Sequence, residues 1–104
     1  MIPIQSDTIE QVAAPDWKTW IEANDGILLD VREPAEWARG LLPDSTTVSL
    51  GFLPGSLGQL DTDTPILVVC RAGNRSLLAA QFLQRNGFKR VANLSGGLMS
   101  IGLA

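Results

Sequence analysis

Short apolar runs of strand length alternate along the chain with segments whose apolar positions recur at helical spacing. A brief opening segment around Ile9 to Val12 comes first. Pro15 then marks a helix start ahead of Trp17, Trp20 and Ile21, an i, i+3, i+4 stripe that Gly26 closes. Ile27-Leu28-Leu29-Asp30-Val31 is nearly continuous in apolar character, the pattern of a strand covered on both faces in a parallel sheet. Pro34 and Gly40 bracket Ala35 to Arg39 as roughly one or two helical turns. Thr46 to Leu50 is a third strand candidate, and the Gly- and Pro-rich stretch Gly51 to Gly58 reads as a loop with room for one helical turn. Pro65-Ile66-Leu67-Val68-Val69-Cys70 is the second strong strand. The chain then turns into a helix predicted from Arg75 to Asn86, with Leu78 and Phe82, beside Ala79 and Leu83, as its buried face. Gln81, Gln84 and Arg85 are expected to point outward, and Gly87 supplies the stop. Val91 to Asn93 reads as a last brief strand, followed by a tail with Gly96, Gly97 and Gly102 that has room for one short helix.

Strands and helices in alternation, joined by crossovers of this length, predict an α/β domain on a mainly parallel sheet. The 104 residues suffice for a single domain spanning 1–104 and not for two. An apolar share of 45% supplies a core, and the 18% of charged residues gives no compositional case for disorder. The start, MIPIQSDTIEQ, lacks the basic and apolar regions of a signal peptide, and no run approaches the roughly 18 to 20 apolar residues of a membrane span. Cytoplasmic residence without a membrane partner is the expectation.

Absences narrow the chemistry. With no His, the chain cannot use Ser-His-Asp or Cys-His catalysis or a metal site that needs imidazole. A single cysteine, Cys70, forbids an internal disulfide, a cysteine cluster for zinc and a CxxC redox pair. Neither metal nor cofactor is expected. The net charge of −3 argues against a nucleic-acid partner but hides a polarity. All eleven acids lie at or before Asp63, so residues 1–63 carry −8 and residues 64–104 carry +5. A small anion belongs in the second part, although Arg85, Lys89 and Arg90 there read as a solvated helix end.

Cys70 closes a strong strand, and ligands of open parallel sheets collect outside the carboxyl ends of strands. The segment Cys70-Arg71-Ala72-Gly73-Asn74-Arg75-Ser76 holds a thiol, two guanidiniums, a glycine that permits positive φ and an Asn tolerant of it, and it leads directly into a helix. Such a loop can turn its N–H groups inward as an anion-binding cup. Lowering a free thiol from about 8.5 by roughly two pH units takes ~2.7 kcal/mol of preference for the thiolate. A helix terminus supplies only ~0.3 to 1 kcal/mol, whereas each hydrogen bond to a charged acceptor is worth ~1.5 to 3 kcal/mol. Two or three inward amides, helped by Arg75 or Arg71, therefore cover the need. A lone Cys after an apolar run is more often buried filler, but the arginines and the Gly-Asn turn are poor core material.

At this loop the chain resembles the rhodanese-like family of sulfurtransferases and looks like a single-domain member. Leu28-Leu29-Asp30-Val31-Arg32-Glu33-Pro34 with Glu36 and Trp37 is similar to that family's first signature, Gly40-Leu41-Leu42-Pro43 to its Gly-His-Ile-Pro turn, and Cys70 to Ser76 to its active loop. Asn86-Gly87-Phe88 and Asn93-Leu94-Ser95-Gly96-Gly97 complete the pattern. The resemblance implies a parallel sheet of about five strands with helices on both faces. It also implies that a Cys70 thiolate takes the outer sulfur of thiosulfate or a similar donor, releases sulfite and passes the sulfur from a persulfide to cyanide or to a thiol, a protein thiol included. A lone cysteine cannot resolve the persulfide internally, so acceptors come from outside. Under this reading Arg75 serves donor oxygens or the persulfide, Arg71 captures substrate at the rim, Gly73 and Asn74 give the cup its curvature, and Ala72 and Ser76 complete it.

Asp30, Arg32 and Glu33 read as helix caps and loop braces, and Trp17, Trp20 and Trp37 as core or rim packing. The chain departs from the family at Leu41, where His is usual, at Asp44, where Gly is frequent, and at Ile101, where Trp commonly follows the Gly-Gly pair. Two other readings stand beside the enzyme. One is a non-enzymatic sulfur carrier or docking module on the same scaffold. The other is a Cys-dependent phosphatase or arsenate reductase; those enzymes resemble Cys-x5-Arg, whereas Cys70 to Arg75 is Cys-x4-Arg and closes a smaller cup.

Overall fold

A computed structural model describes residues 8–103; the expectation about the character of residues 1–7 lies outside them. The two runs richest in aliphatic residues become neighbouring strands at the middle of the sheet. These are β2 (Ile27–Asp30) and β4 (Ile66–Val69), paired in parallel with Leu29 opposite Val68 and Asp30 opposite Val69. β5 (Val91–Ser95) lies along the other side of β4, and β1 (Glu10–Ala13) outside β5. β3 (Thr46–Thr47) lies outside β2. The order is β1-β5-β4-β2-β3, and every pairing is parallel.

This order puts the topological switch point between the carboxyl ends of β2 and β4. The chain leaves β2 toward β3 on one side and leaves β4 toward β5 on the other, the arrangement that places ligands in open parallel sheets. Period-two alternation sends Ile66, Val68 and Cys70 to one face and Leu67 and Val69 to the other. Helix α3 (Asn74–Arg85) covers the first face with Ala79, Ala80 and Leu83. Helix α1 (Trp17–Asn24) covers the second with Trp20, flanked by Trp17 and Ile21. A short helix, α2 (Pro34–Trp37), follows β2. Among the described residues no helix is long and apolar enough to cross a membrane.

The face of α3 differs from the expectation. Ser76, Ala79, Ala80 and Leu83 meet the sheet, whereas Leu78 is 59% exposed and Phe82 only partly buried. Gln81 and Gln84 are partly buried too, instead of pointing outward. Two alanines let the helix approach the sheet closely and carry Ser76 to the strand end; side-chain size alone ranked Leu78 above Ala80. Likewise, the strand expected at 46–50 is regular only at Thr46–Thr47, although the Val48 and Leu50 N–H groups still donate to Asp30 and Val31 carbonyls. The stretch after it is not loop but two 3₁₀ segments, Leu50–Phe52 and Pro54–Gln59.

At the end of α1 the left-handed residue is Asp25, φ 49°, and not Gly26. Gly26 serves close approach instead: a Cβ there would lie 2.9 Å from the Pro65 carbonyl oxygen. Asp44 also has positive φ, 60°, a conformation that Asp tolerates better than most residues, which accounts for a carboxylate where the resembling family often has Gly. Ile101 packs against the face that carries Trp20, while Leu41 is exposed.

Candidate active site

Cys70 extends the alternation of β4 by one residue and ends up 1% exposed among aliphatic side chains. Its surroundings are nevertheless polar where the loop folds back. The Leu98 N–H donates to the Cys70 carbonyl at 2.9 Å and the Met99 N–H to the Arg71 carbonyl at 3.0 Å, so the tail takes up two loop carbonyls. That stitching requires Gly97, because a Cβ there would overlap the Arg71 carbonyl. Gly73, at φ 99°, then reverses the chain immediately before α3. Its N–H donates to Cys70 Sγ at 3.1 Å, and the Ser76 N–H in the first turn of α3 donates at 3.3 Å. The Ser76 hydroxyl oxygen lies 3.2 Å from the same sulfur.

Burial pushes the Cys70 thiol up, but the Ser76 hydroxyl and the amides of Ser76, Gly73 and Ala72 outweigh it, so the group ionises below the ordinary range of a thiol. Activation therefore comes from the Ser76 hydroxyl together with inward amides, in a chain that has no imidazole to supply it.

Arg75 does not lie free over this cup. Its Nη1 and Nη2 donate to Glu36 Oε1 and Oε2 at 2.6 and 2.9 Å, which ties the start of α3 to α2. Those bonds, offset by burial and reinforced by the Glu33 N–H, hold the Glu36 carboxyl down at about 2. Glu36 reaches that position through a capping box with Glu33 at the start of α2. The neighbouring strand end is closed differently. Asp30 and Arg32, 0% and 1% exposed, form a bidentate pair, and Arg32 Nη2 also donates to the Gly40 carbonyl at 2.7 Å. Bracing, the role read for Asp30, Arg32 and Glu33, is what these contacts do.

The loop thus gathers Cys70, Gly73 and Ser76 around one sulfur, with Ala72 contributing its amide. Arg71 is exposed at the rim. Asn74 opens α3 and does not use the positive φ that Asn tolerates; among described residues other than Gly, only Asp25 and Asp44 adopt one. Sequence reasoning missed two members. Glu36 stands in the sequence as part of a signature, and its spacing from Glu33 is the capping-box signal that could have found it. Asn93 accepts from the Ser76 hydroxyl at 2.5 Å; a polar residue inside an otherwise apolar strand was the available clue. A groove of about 510 Å³ between α1 and the Pro43-Asp44 turn contains none of the loop's residues. Among the described residues no group of three or more His, Cys, Asp or Glu is placed to hold a metal ion.

Comparisons with known proteins bear on this geometry. The family model described as Rhodanese-like domain matches residues 13–103. A sulfurtransferase of Allochromatium vinosum is 34% identical over 79 residues, which cover 76% of this chain and 74% of the relative. The thiosulfate sulfurtransferase GlpE of Pseudomonas paraeruginosa is 32% identical over 92 residues, covering 88% and 83%. Among solved structures, SSP1007 from Staphylococcus saprophyticus superimposes with a TM-score of 0.82 at 29% identity, covering 90% of this chain and 94% of that one.

Proposed function

This chain belongs to the rhodanese-like sulfurtransferase family, and on that premise we propose that it moves sulfane sulfur from thiosulfate or a similar anionic donor to a thiol or cyanide acceptor through a Cys70 persulfide. The observation that carries the reading is the convergence of the Gly73 and Ser76 N–H groups on Cys70 Sγ. The Cys70 thiolate attacks the outer sulfur of thiosulfate; the donor's S–S bond breaks and sulfite leaves with the electron pair. An acceptor thiolate or cyanide then attacks the outer sulfur of the persulfide, and the Cys70 thiolate is the leaving group. Arg71 captures the donor at the rim, Arg75 adds positive charge from its pair with Glu36, and Gly73, at positive φ, shapes the cup ahead of Asn74 at the start of α3. The reaction needs no metal or cofactor, and the cytoplasm, without nucleic acid or membrane as partner, is its proposed setting.

Mass spectrometry of the protein before and after thiosulfate tests this. One sulfur atom should add to Cys70, with sulfite released over repeated turnovers when acceptor is present, and Cys70→Ser should abolish both. Retained activity in that variant removes the mechanism. Loading that stops after a single turnover makes the protein a sulfur carrier, and faster turnover of an aromatic phosphate ester than of thiosulfate makes it a phosphatase.

A further inference from the structure

One hydroxyl hydrogen in this site has two claimants. Asn93 is 3% exposed on β5, and its Nδ2 donates to Gln11 Oε1 at 3.1 Å and to the Gly73 carbonyl at 3.2 Å. These acceptors fix the amide, since the reversed orientation would set its oxygen against two others. Oδ1 therefore faces α3, where the fully buried Ser76 hydroxyl donates to it at 2.5 Å. The same hydroxyl oxygen lies 3.2 Å from Cys70 Sγ. With its single hydrogen on Asn93, it can only accept from sulfur. That suits a thiol and deprives a thiolate of its third donor.

We propose that Asn93 is a positioning residue for Cys70: it holds the Ser76 hydroxyl hydrogen while Cys70 is a thiol and yields it when Cys70 is a thiolate. On ionisation the thiol proton leaves to solvent and the Ser76 O–H rotates onto the sulfur, because a bond to a charged acceptor is about twice as strong as a neutral one. Asn93 Oδ1 then loses a donor inside the protein, and that loss opposes ionisation. When Cys70 carries a persulfide, the charge sits on the outer sulfur and the hydroxyl returns to Asn93. Asn93 thus makes the thiolate responsive to chemistry instead of permanently stabilised. The consequence for sulfur transfer rests on the persulfide reading; the titration does not.

The charged groups around the sulfur stay in place when positions 76 and 93 are changed. They are Arg75 on α3, its partner Glu36 on α2, the Asp30 and Arg32 pair at the end of β2, and Arg71 in the loop itself. β5 presents no titratable side chain. Cys70 is the chain's only cysteine, so ultraviolet thiolate absorbance against pH reports it alone.

Asn93→Leu frees the hydroxyl and should lower the midpoint by about 0.5 pH, roughly a threefold rise in thiolate below the midpoint. In the Ser76→Ala background the same substitution should give no such drop. An undiminished drop in that background, or none in the parent, overturns the proposal. Should Asn93→Leu fail to fold, the unaltered protein serves. The carbon-13 shift of the Asn93 side-chain carbonyl should follow the Cys70 titration, and a shift flat through the midpoint overturns the proposal. Mass spectrometry after thiosulfate is read separately: no added sulfur alongside the expected titrations would remove the persulfide reading and leave the hydroxyl competition standing.

Discussion

Two adjacent parallel strands end in buried polar groups, and they satisfy them in opposite ways. At the end of β2, Asp30 receives the backbone and guanidinium N–H groups of Arg32, two residues along the same chain, and Arg32 reaches on to the Gly40 carbonyl. At the end of β4, Cys70 receives only backbone amides and stands beside one hydroxyl. The Asp30 carboxylate, wrapped by its own arginine and fully buried, has both oxygens accepting from Arg32 and neither turned to a ligand. A sulfur held by peptide dipoles keeps its reactivity, and the cup that stabilises its charge can stabilise a second sulfur on top of it. The same problem, a buried polar atom at a strand end, thus yields a brace in one place and a candidate nucleophile in the next.

The largest effect expected from breaking this contrast is on the brace. Asp30→Ala leaves Arg32 as an uncompensated charge in the interior, which costs about 3 to 5 kcal/mol, a large share of the roughly 5 to 15 kcal/mol that holds a domain together. Urea unfolding should show it as a large drop in midpoint. Replacing the pair together, Asp30→Leu with Arg32→Met, should recover much of the loss, because the double change removes both charges. If the single change is mild, the pair is exchanging with water and the contrast between the two strand ends fails.

The sheet was readable because its evidence is local. Nearly continuous apolar runs at 27–31 and 65–70 have the pattern and length of strands covered on both faces, and their alternation with helices points to a mainly parallel sheet. Cys70 was readable too, as the one thiol at the end of such a run with glycine and arginine after it. What could not be read depends on contacts distant in sequence. Arg75 and Glu36 are 39 positions apart, and Ser76 and Asn93 are 17 apart. No periodicity in either segment announces the partner. The rotation of α3 that exposes Leu78 has the same origin: closeness to the sheet, set by Ala79 and Ala80, outweighed the apolar area of one leucine.

Arg75 sharpens the contrast at an intermediate size of effect. If it were a second Arg32, its removal would mainly unfold the protein. Its side chain is 35% exposed, however, and its pair with Glu36 is open to solvent on one side, so Arg75→Ala should change stability by no more than about 1 kcal/mol. Persulfide formation from thiosulfate should slow roughly tenfold, or about 1.4 kcal/mol of transition-state stabilisation, because positive charge next to an anionic donor is lost. Single-turnover loading kinetics alongside urea unfolding separate the two outcomes. Equal loading rates for variant and parent would reduce Arg75 to a structural strut.

The smallest effect concerns the Glu36 end of that pair and is read against pH. Arg75 holds the folded-state carboxyl at about 2 against an ordinary value of 4.5, so the protein gains from the pair wherever the unfolded chain would also be ionised. The gain is complete above 4.5, declines as pH falls toward 2 and is gone below it. Solvent on the Arg75 side screens the interaction, which brings the contribution to about 1 kcal/mol at neutral pH. Glu36→Gln should therefore be less stable than the parent by that amount at neutral pH and converge with it in acid. Added salt should shrink the same difference while leaving the Asp30→Ala loss nearly intact, because screening reaches a partly exposed pair and not one enclosed by the core. A Glu36→Gln difference that ignores both pH and salt would place this pair with the buried brace and erase the distinction between the two strand ends.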